Sequence, residues 1–72
     1  MDNDIYASLG RFLRQFRIEA GLTQEEAGAK LGIDRSTLAS FENGRRRPSV
    51  EFLLLAEKVY KADVIGELRK LV

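Results

Sequence analysis

Gly21-Leu22-Thr23-Gln24-Glu25-Glu26-Ala27-Gly28-Ala29-Lys30-Leu31-Gly32-Ile33-Asp34-Arg35-Ser36-Thr37-Leu38-Ala39-Ser40-Phe41-Glu42-Asn43-Gly44 is the stretch that decides how this chain folds. Thr23 and Glu26 form a capping box: the threonine hydroxyl accepts the third helical amide, and the glutamate reaches back to the threonine amide. Glu25 and Glu26 suit the positive end of the same helix dipole. Gly32 stops this helix after Leu31, and Asp34 caps another that runs to about Asn43. Two short helices joined by Gly32-Ile33-Asp34 have helix-turn-helix spacing, which places the unit at about residues 23–43. Gly32 supplies the sharp turn. Gly28 sits mid-helix, where glycine costs about 1 kcal/mol relative to alanine; its small size is expected to let the third helix cross closely. Ile33, Leu38 and Phe41 are expected to pin the third helix to the first and second.

Outward from this unit the pattern stays helical. Ile5, Leu9, Phe12, Leu13 and Phe16 recur at spacings of three and four, which predicts a first helix from about Asp4 to Ala20. Gly21 stops it. Residues 44–48, Gly-Arg-Arg-Arg-Pro, read as a basic loop, because Pro48 disfavours helix at Arg47. Ser49 caps a fourth helix from about Val50 to Lys61, and Asp63 a short fifth ending near Leu71. No strand signal stands out, and Asn43-Gly44 follows a helical run rather than joining two alternating ones. The prediction is an all-α, compact five-helix bundle forming a single domain over residues 1–72.

Composition narrows the chemistry. With 44% hydrophobic and 32% charged residues the chain is globular rather than disordered. It has no cysteine and no histidine, so disulfides, thiolate metal sites and the usual general base are excluded. With no glycine-rich phosphate loop either, the chain is not expected to be an enzyme or to carry a metal, cofactor or small-molecule ligand. No apolar run approaches the ~20 residues of a membrane span, and the acidic start Met1-Asp2-Asn3-Asp4 lacks a signal-peptide pattern. The expected location is the cytoplasm of a bacterium, the gene being bacterial or phage-borne. Net charge is only +1, but Arg11, Arg14 and Arg17 share one segment and Arg45, Arg46 and Arg47 form a run. Clustered arginine gives a near-neutral protein a positive face.

The side of the third helix away from the core decides function. Arg35, Ser36, Thr37 and Ser40 lie toward its N-terminal part, the part of a groove-docked helix that reaches base edges. Arginine grips guanine with two hydrogen bonds, and serine and threonine bond several base edges. Ala39 permits close approach. Thr23 and Gln24 stand at the head of the second helix, where unpaired amides and the dipole favour an anion. Asn43, Arg45, Arg46 and Arg47 follow the third helix and are placed to flank it along phosphates. The expected partner is double-stranded DNA.

In combination Gly21-Leu22-Thr23-Gln24, the turn Gly32, Glu42-Asn43-Gly44 and Pro48-Ser49 resemble the Cro/phage-repressor (XRE) family of helix-turn-helix domains, over roughly residues 8–68. The resemblance implies a five-helix domain that binds operator DNA, usually as a dimer on inverted repeats. It implies that Gln24 and Asn43 meet phosphate, that Arg35, Ser36 and Ser40 face bases, and that Arg17 and Glu42 pair to join the first helix to the end of the third. Ala27-Gly28 departs from the usual Leu-Ala, which predicts a looser second helix. Glu57 and Lys61 stand where a small apolar residue and glycine are usual, which predicts a fourth helix rotated or extended.

Single modules touch few base pairs, and two-fold dimers double the contacts. Val64, Ile65 and Leu68, with the chain end, are expected to contribute a homodimer interface. Regulation is expected through protein concentration, operator arrangement or a partner protein. Repression needs only occlusion of RNA polymerase; activation needs contact with it, for which Glu25 and Glu26 offer an acidic patch. The alternative reading is a protein-interaction module, such as the antitoxin of a toxin–antitoxin pair.

Overall fold

The computed structural model describes residues 4–72, so of the acidic start only Asp4 is among the described residues. Five helices follow in order: α1 Ile5–Glu19, α2 Gln24–Leu31, α3 Arg35–Glu42, α4 Val50–Tyr60 and α5 Val64–Lys70. Each begins at an oxygen-bearing side chain that accepts an otherwise unpaired amide: Asp4, Thr23, Asp34, Ser49 and Asp63. The α2 cap is the full reciprocal box, with the Glu26 amide 3.1 Å from the Thr23 hydroxyl and the Thr23 amide 2.9 Å from Glu26 Oε1. Donation to its oxygens by the Thr23 amide first, and then by the Thr23 hydroxyl, holds the Glu26 carboxyl below its ordinary range. Thr37 and then Ser36 do the same for Asp34.

α1 packs against α3, α4 and α5, while α2 packs against α3 and α4. The core is built from Leu9, Leu13, Ala27, Leu31, Leu38, Phe41, Phe52, Leu53, Ala56, Tyr60 and Val64. Phe41 reaches further than α1 and α2: its ring lies 4.7 Å from that of Phe52 in α4, tilted by 57°, a favourable aromatic geometry. The rear of α3 is thereby fastened to a third helix.

Three expectations change here. The second helix is not loose: Ala27 is fully enclosed, and a Cβ on Gly28 would come within 2.7 Å of the Ile33 carbonyl oxygen. Small residues at this point let α2 close onto the turn. The fourth helix is not extended, because it stops at Tyr60, and Lys61 takes the left-handed conformation (φ 54°) that glycine would adopt without strain. Glu57 turns toward α5 and accepts the Ile65 amide at 2.7 Å. A carboxylate in place of a small apolar residue thus becomes a second cap for the last helix. Finally, Val64 is fully buried in the chain's own core and offers no surface to a second copy. Ile65 and Leu68 are half-buried against the same core.

Candidate nucleic-acid interface

Gly32 turns the chain from α2 to α3 in the left-handed conformation (φ 74°), with open space around its Cα. Here the backbone angle, not crowding, requires glycine. The Ile33 amide returns to the Gly28 carbonyl at 2.9 Å, which fixes the direction in which α3 leaves. Leu38, Phe41 and Glu42 then point inward. At 3.6 residues per turn, the opposite line of the helix runs through Ser36, Ser40 and Asn43. Arg35 and Ala39 stand on one flank of that line and Thr37 on the other.

Arg35 and Ser36 are exposed, and Thr37 and Ser40 half-exposed. The Ser36 hydroxyl donates to Asp34 Oδ1 at 3.2 Å, so it presents lone pairs outward. The Thr37 amide donates to the same oxygen at 2.7 Å. On the Arg35 flank a shallow cleft joins Arg35, Ser36 and Ala39 to Gln24. It continues into a cleft of about 600 Å³ lined by Arg14, Arg17, Thr23, Gln24, Glu25 and Arg35. Among the described residues the Gln24 and Glu25 amides have no hydrogen-bond partner, which leaves two donors at the positive end of α2.

Gln24 differs from expectation in one respect. Its side chain is drawn inward, and Nε2 donates to Glu42 Oε1 at 3.1 Å. Glu42 also accepts from Arg17 Nε at 2.7 Å and Nη2 at 3.2 Å, while Arg17 Nη1 donates to the Leu22 carbonyl at 2.8 Å. The ion pair implied by the family resemblance is therefore formed and buried. It does more than join α1 to α3, because it also fixes the residue before the α2 cap. The head of α2 and the end of α3 are set at a fixed separation by one guanidinium and one carboxylate. Such pairs specify geometry more reliably than they add stability.

The other flank carries the basic loop. The Arg45 and Arg46 amides donate to the Ser40 carbonyl at 2.9 and 3.3 Å, folding the loop back on α3. Asn43 Oδ1 accepts the Arg45 amide at 3.2 Å, so its amide nitrogen is left to donate outward. Arg45, Arg46 and Arg47 are all exposed. Two are held by aromatic faces: Arg46 lies 5.9 Å from the Phe41 ring centre and Arg47 4.9 Å from that of Tyr6. Stacking of this kind keeps a guanidinium extended at little conformational cost.

Two residues of the site were not singled out from sequence. Arg14 reads in the sequence only as part of a charge cluster, although its place three residues before Arg17 puts it on the same side of α1. Gly10 carries no such signal in the sequence. A Cβ there would run into the Glu42 and Phe41 carbonyl oxygens, so α1 touches the end of α3 backbone to backbone.

A short polar helix held outward by its rear, with cationic groups on both flanks, defines a helix-turn-helix DNA-binding domain. Residues 8–71 match the family described as helix-turn-helix domain, and the chain belongs to that family. It is a helix-turn-helix transcriptional regulator of the XRE type. It is 42% identical over 50 residues to an uncharacterized HTH-type transcriptional regulator of Methanothermobacter thermautotrophicus, covering 69% of this chain and 68% of that one. It is 40% identical over 56 residues to the HTH-type transcriptional regulator ImmR of Bacillus subtilis, covering 78% of this chain but only 44% of ImmR. Among solved structures it is similar to the clp gene regulator ClgR from C. glutamicum, with TM-score 0.87 and 27% identity over 99% of this chain and 91% of that one. It is also similar to the restriction-modification controller protein C.AhdI from Aeromonas hydrophila, with TM-score 0.76 and 28% identity over 93% of this chain and 91% of that one. These are regulators rather than enzymes. No helix among the described residues is long and apolar enough to cross a membrane.

Proposed function

We propose that this protein binds a palindromic operator as a two-fold dimer and represses transcription by occluding RNA polymerase. The observation that carries the reading is the line Ser36–Ser40–Asn43 on the outward side of α3, with Arg35 beside it. Small polar groups on that line allow the helix to sink into a major groove, where Arg35, Ser36, Thr37 and Ser40 meet base edges. The Gln24 and Glu25 amides, with Arg14 and Thr23, receive phosphate on one side of the groove. Asn43, Arg45, Arg46 and Arg47 receive it on the other. Gln24 contributes through its backbone amide, and its side chain meets phosphate only if Nε2 leaves Glu42. The reading places the protein in the cytoplasm beside the chromosome.

Activation through the head of α2 has little to work with. Glu25 and Glu26 are both exposed, but Glu26 is engaged by the cap, which leaves Glu25 as the carboxylate there that the cap does not hold. The proposal is tested by selecting bound duplexes from a random DNA pool. An enriched inverted repeat with half-site centres about one helical turn apart is expected. Failure to enrich any sequence would favour a protein-interaction module such as an antitoxin.

A further inference from the structure

Three of the five large apolar side chains that stand exposed among the described residues, Val50, Leu54 and Leu55, lie on α4. Its inward side carries Phe52, Leu53, Ala56 and Tyr60. The helical repeat then puts Glu51, Leu54, Leu55 and Lys58 on the stripe facing away from the core. All four are exposed. Glu51 and Lys58 lie on the midline of that stripe, about two turns and ~10 Å apart, too far to pair within one helix. The positions three and four residues from each, toward the other, are the two leucines. Among the described residues neither charge has an ion-pair partner.

A two-fold axis beside the midpoint of Leu54 and Leu55 changes this. With two α4 helices antiparallel, Glu51 of one copy comes opposite Lys58 of the second, and Lys58 of the first opposite Glu51 of the second. The four leucines close between the two ion pairs. A parallel arrangement instead sets Glu51 on Glu51 and Lys58 on Lys58, which is repulsive. The stripe is thus complementary to itself under the operation that a closed dimer requires, and an unrelated partner would have to match the same spacing by chance. The apolar surface continues past the helix: Val50 lines a groove with Leu68 and the exposed Val72.

We propose that a second copy of this chain docks on the outward face of α4, antiparallel, with its register set by reciprocal Glu51–Lys58 pairs around a Leu54–Leu55 cluster. The proposal rests on the dimeric reading given above for its partner, but not for any DNA contact. It moves the main interface from α5, where Val64 is buried, to α4.

The test is sedimentation equilibrium on the whole chain as wild type, Glu51→Lys, Lys58→Glu and the double variant. Circular dichroism confirms the fold of each. All substitutions are on exposed positions, and the double variant restores opposite charges. Each single variant is expected to raise the dissociation constant about ten-fold or more, because it sets like charges opposite each other twice. An equimolar mixture of the two single variants and the double variant alone are expected to associate as tightly as wild type. Single variants that dimerise like wild type, or a mixture that fails to associate, would overturn the proposal, as would a wild type that stays monomeric at the highest concentration reached. Binding of the same four proteins to a short mixed-sequence duplex at low salt reports on the DNA reading separately. Loss of DNA binding by a wild type that dimerises through α4 would sink that reading and leave the docking face standing.

Discussion

At the scale of single residues, Tyr60 is the side chain least at ease. Its hydroxyl is buried, within reach of the Arg17 and Glu42 charges, and has no hydrogen-bond partner among the described residues. Burial first, and then the Glu42 charge, push its pKa up to about 12, against the pull of Arg17. The folded protein therefore holds the phenolic proton at a pH where the unfolded chain has lost it. Stability is unaffected by this group below its ordinary value of 10.0 and declines as the pH rises toward about 12. Tyr60→Phe is expected to keep or raise stability at neutral pH by up to about 1 kcal/mol, since an unpaired hydroxyl is removed. It should also flatten the alkaline decline. Urea unfolding of both proteins across that range checks it, and parallel curves would contradict it. None of this was readable from sequence, because an aromatic residue late in an apolar helix announces burial but not what stands beside its oxygen. The inward turn of the Gln24 side chain was hidden for the same reason: its acceptor, Glu42, is distant in sequence.

Local chemistry made the elements legible. The caps at Thr23, Asp34, Ser49 and Asp63 and the turn at Gly32 lie within a few residues of what they control, and α2 to α5 begin where these caps predict. What escaped was set by packing between distant segments. Gly10 looks like a weak point in α1 until the α3 carbonyls that pass it are known. Gly10→Ala is expected to destabilise the fold by roughly 1–3 kcal/mol, as overpacking does, because the atoms it would strike are backbone and cannot rotate away. It should also weaken DNA binding at temperatures where the fold persists, since the end of α3 and Asn43 would be displaced. Thermal unfolding and a binding titration on one variant check both effects; an unchanged melting temperature would show that α1 and α3 have room. That Val64 faces the core rather than a second copy is hidden from the sequence for a related reason. A helix this short, Val64–Lys70, has too little pattern to fix which side faces the core. The Glu57 side chain that caps it comes from another helix.

Across the whole molecule, a nearly neutral protein has gathered cationic groups around one helix. Arg14 and Arg35 stand at the head of α2, and Arg46 and Arg47 are stacked on Phe41 and Tyr6 at the opposite flank. Affinity should therefore fall steeply with salt, as phosphate neutralisation requires. Arg46→Ala should weaken binding to all duplexes about equally and reduce the magnitude of the salt slope by about one. Titrations at several salt concentrations check this, and an unchanged slope would remove Arg46 from the phosphate contacts. The helix-turn-helix itself could be read from sequence because its turn, caps and inward residues are contiguous. The site around it could be read only in part, because its flanks are assembled from α1, the head of α2 and the loop after α3.

The most direct test compares wild type and Arg35→Ala by fluorescence anisotropy on the selected operator and on a random duplex of equal length. The account predicts that the variant loses about 1–3 kcal/mol on the operator and much less on random DNA. Equal losses on the two duplexes would show that Arg35 does not read bases.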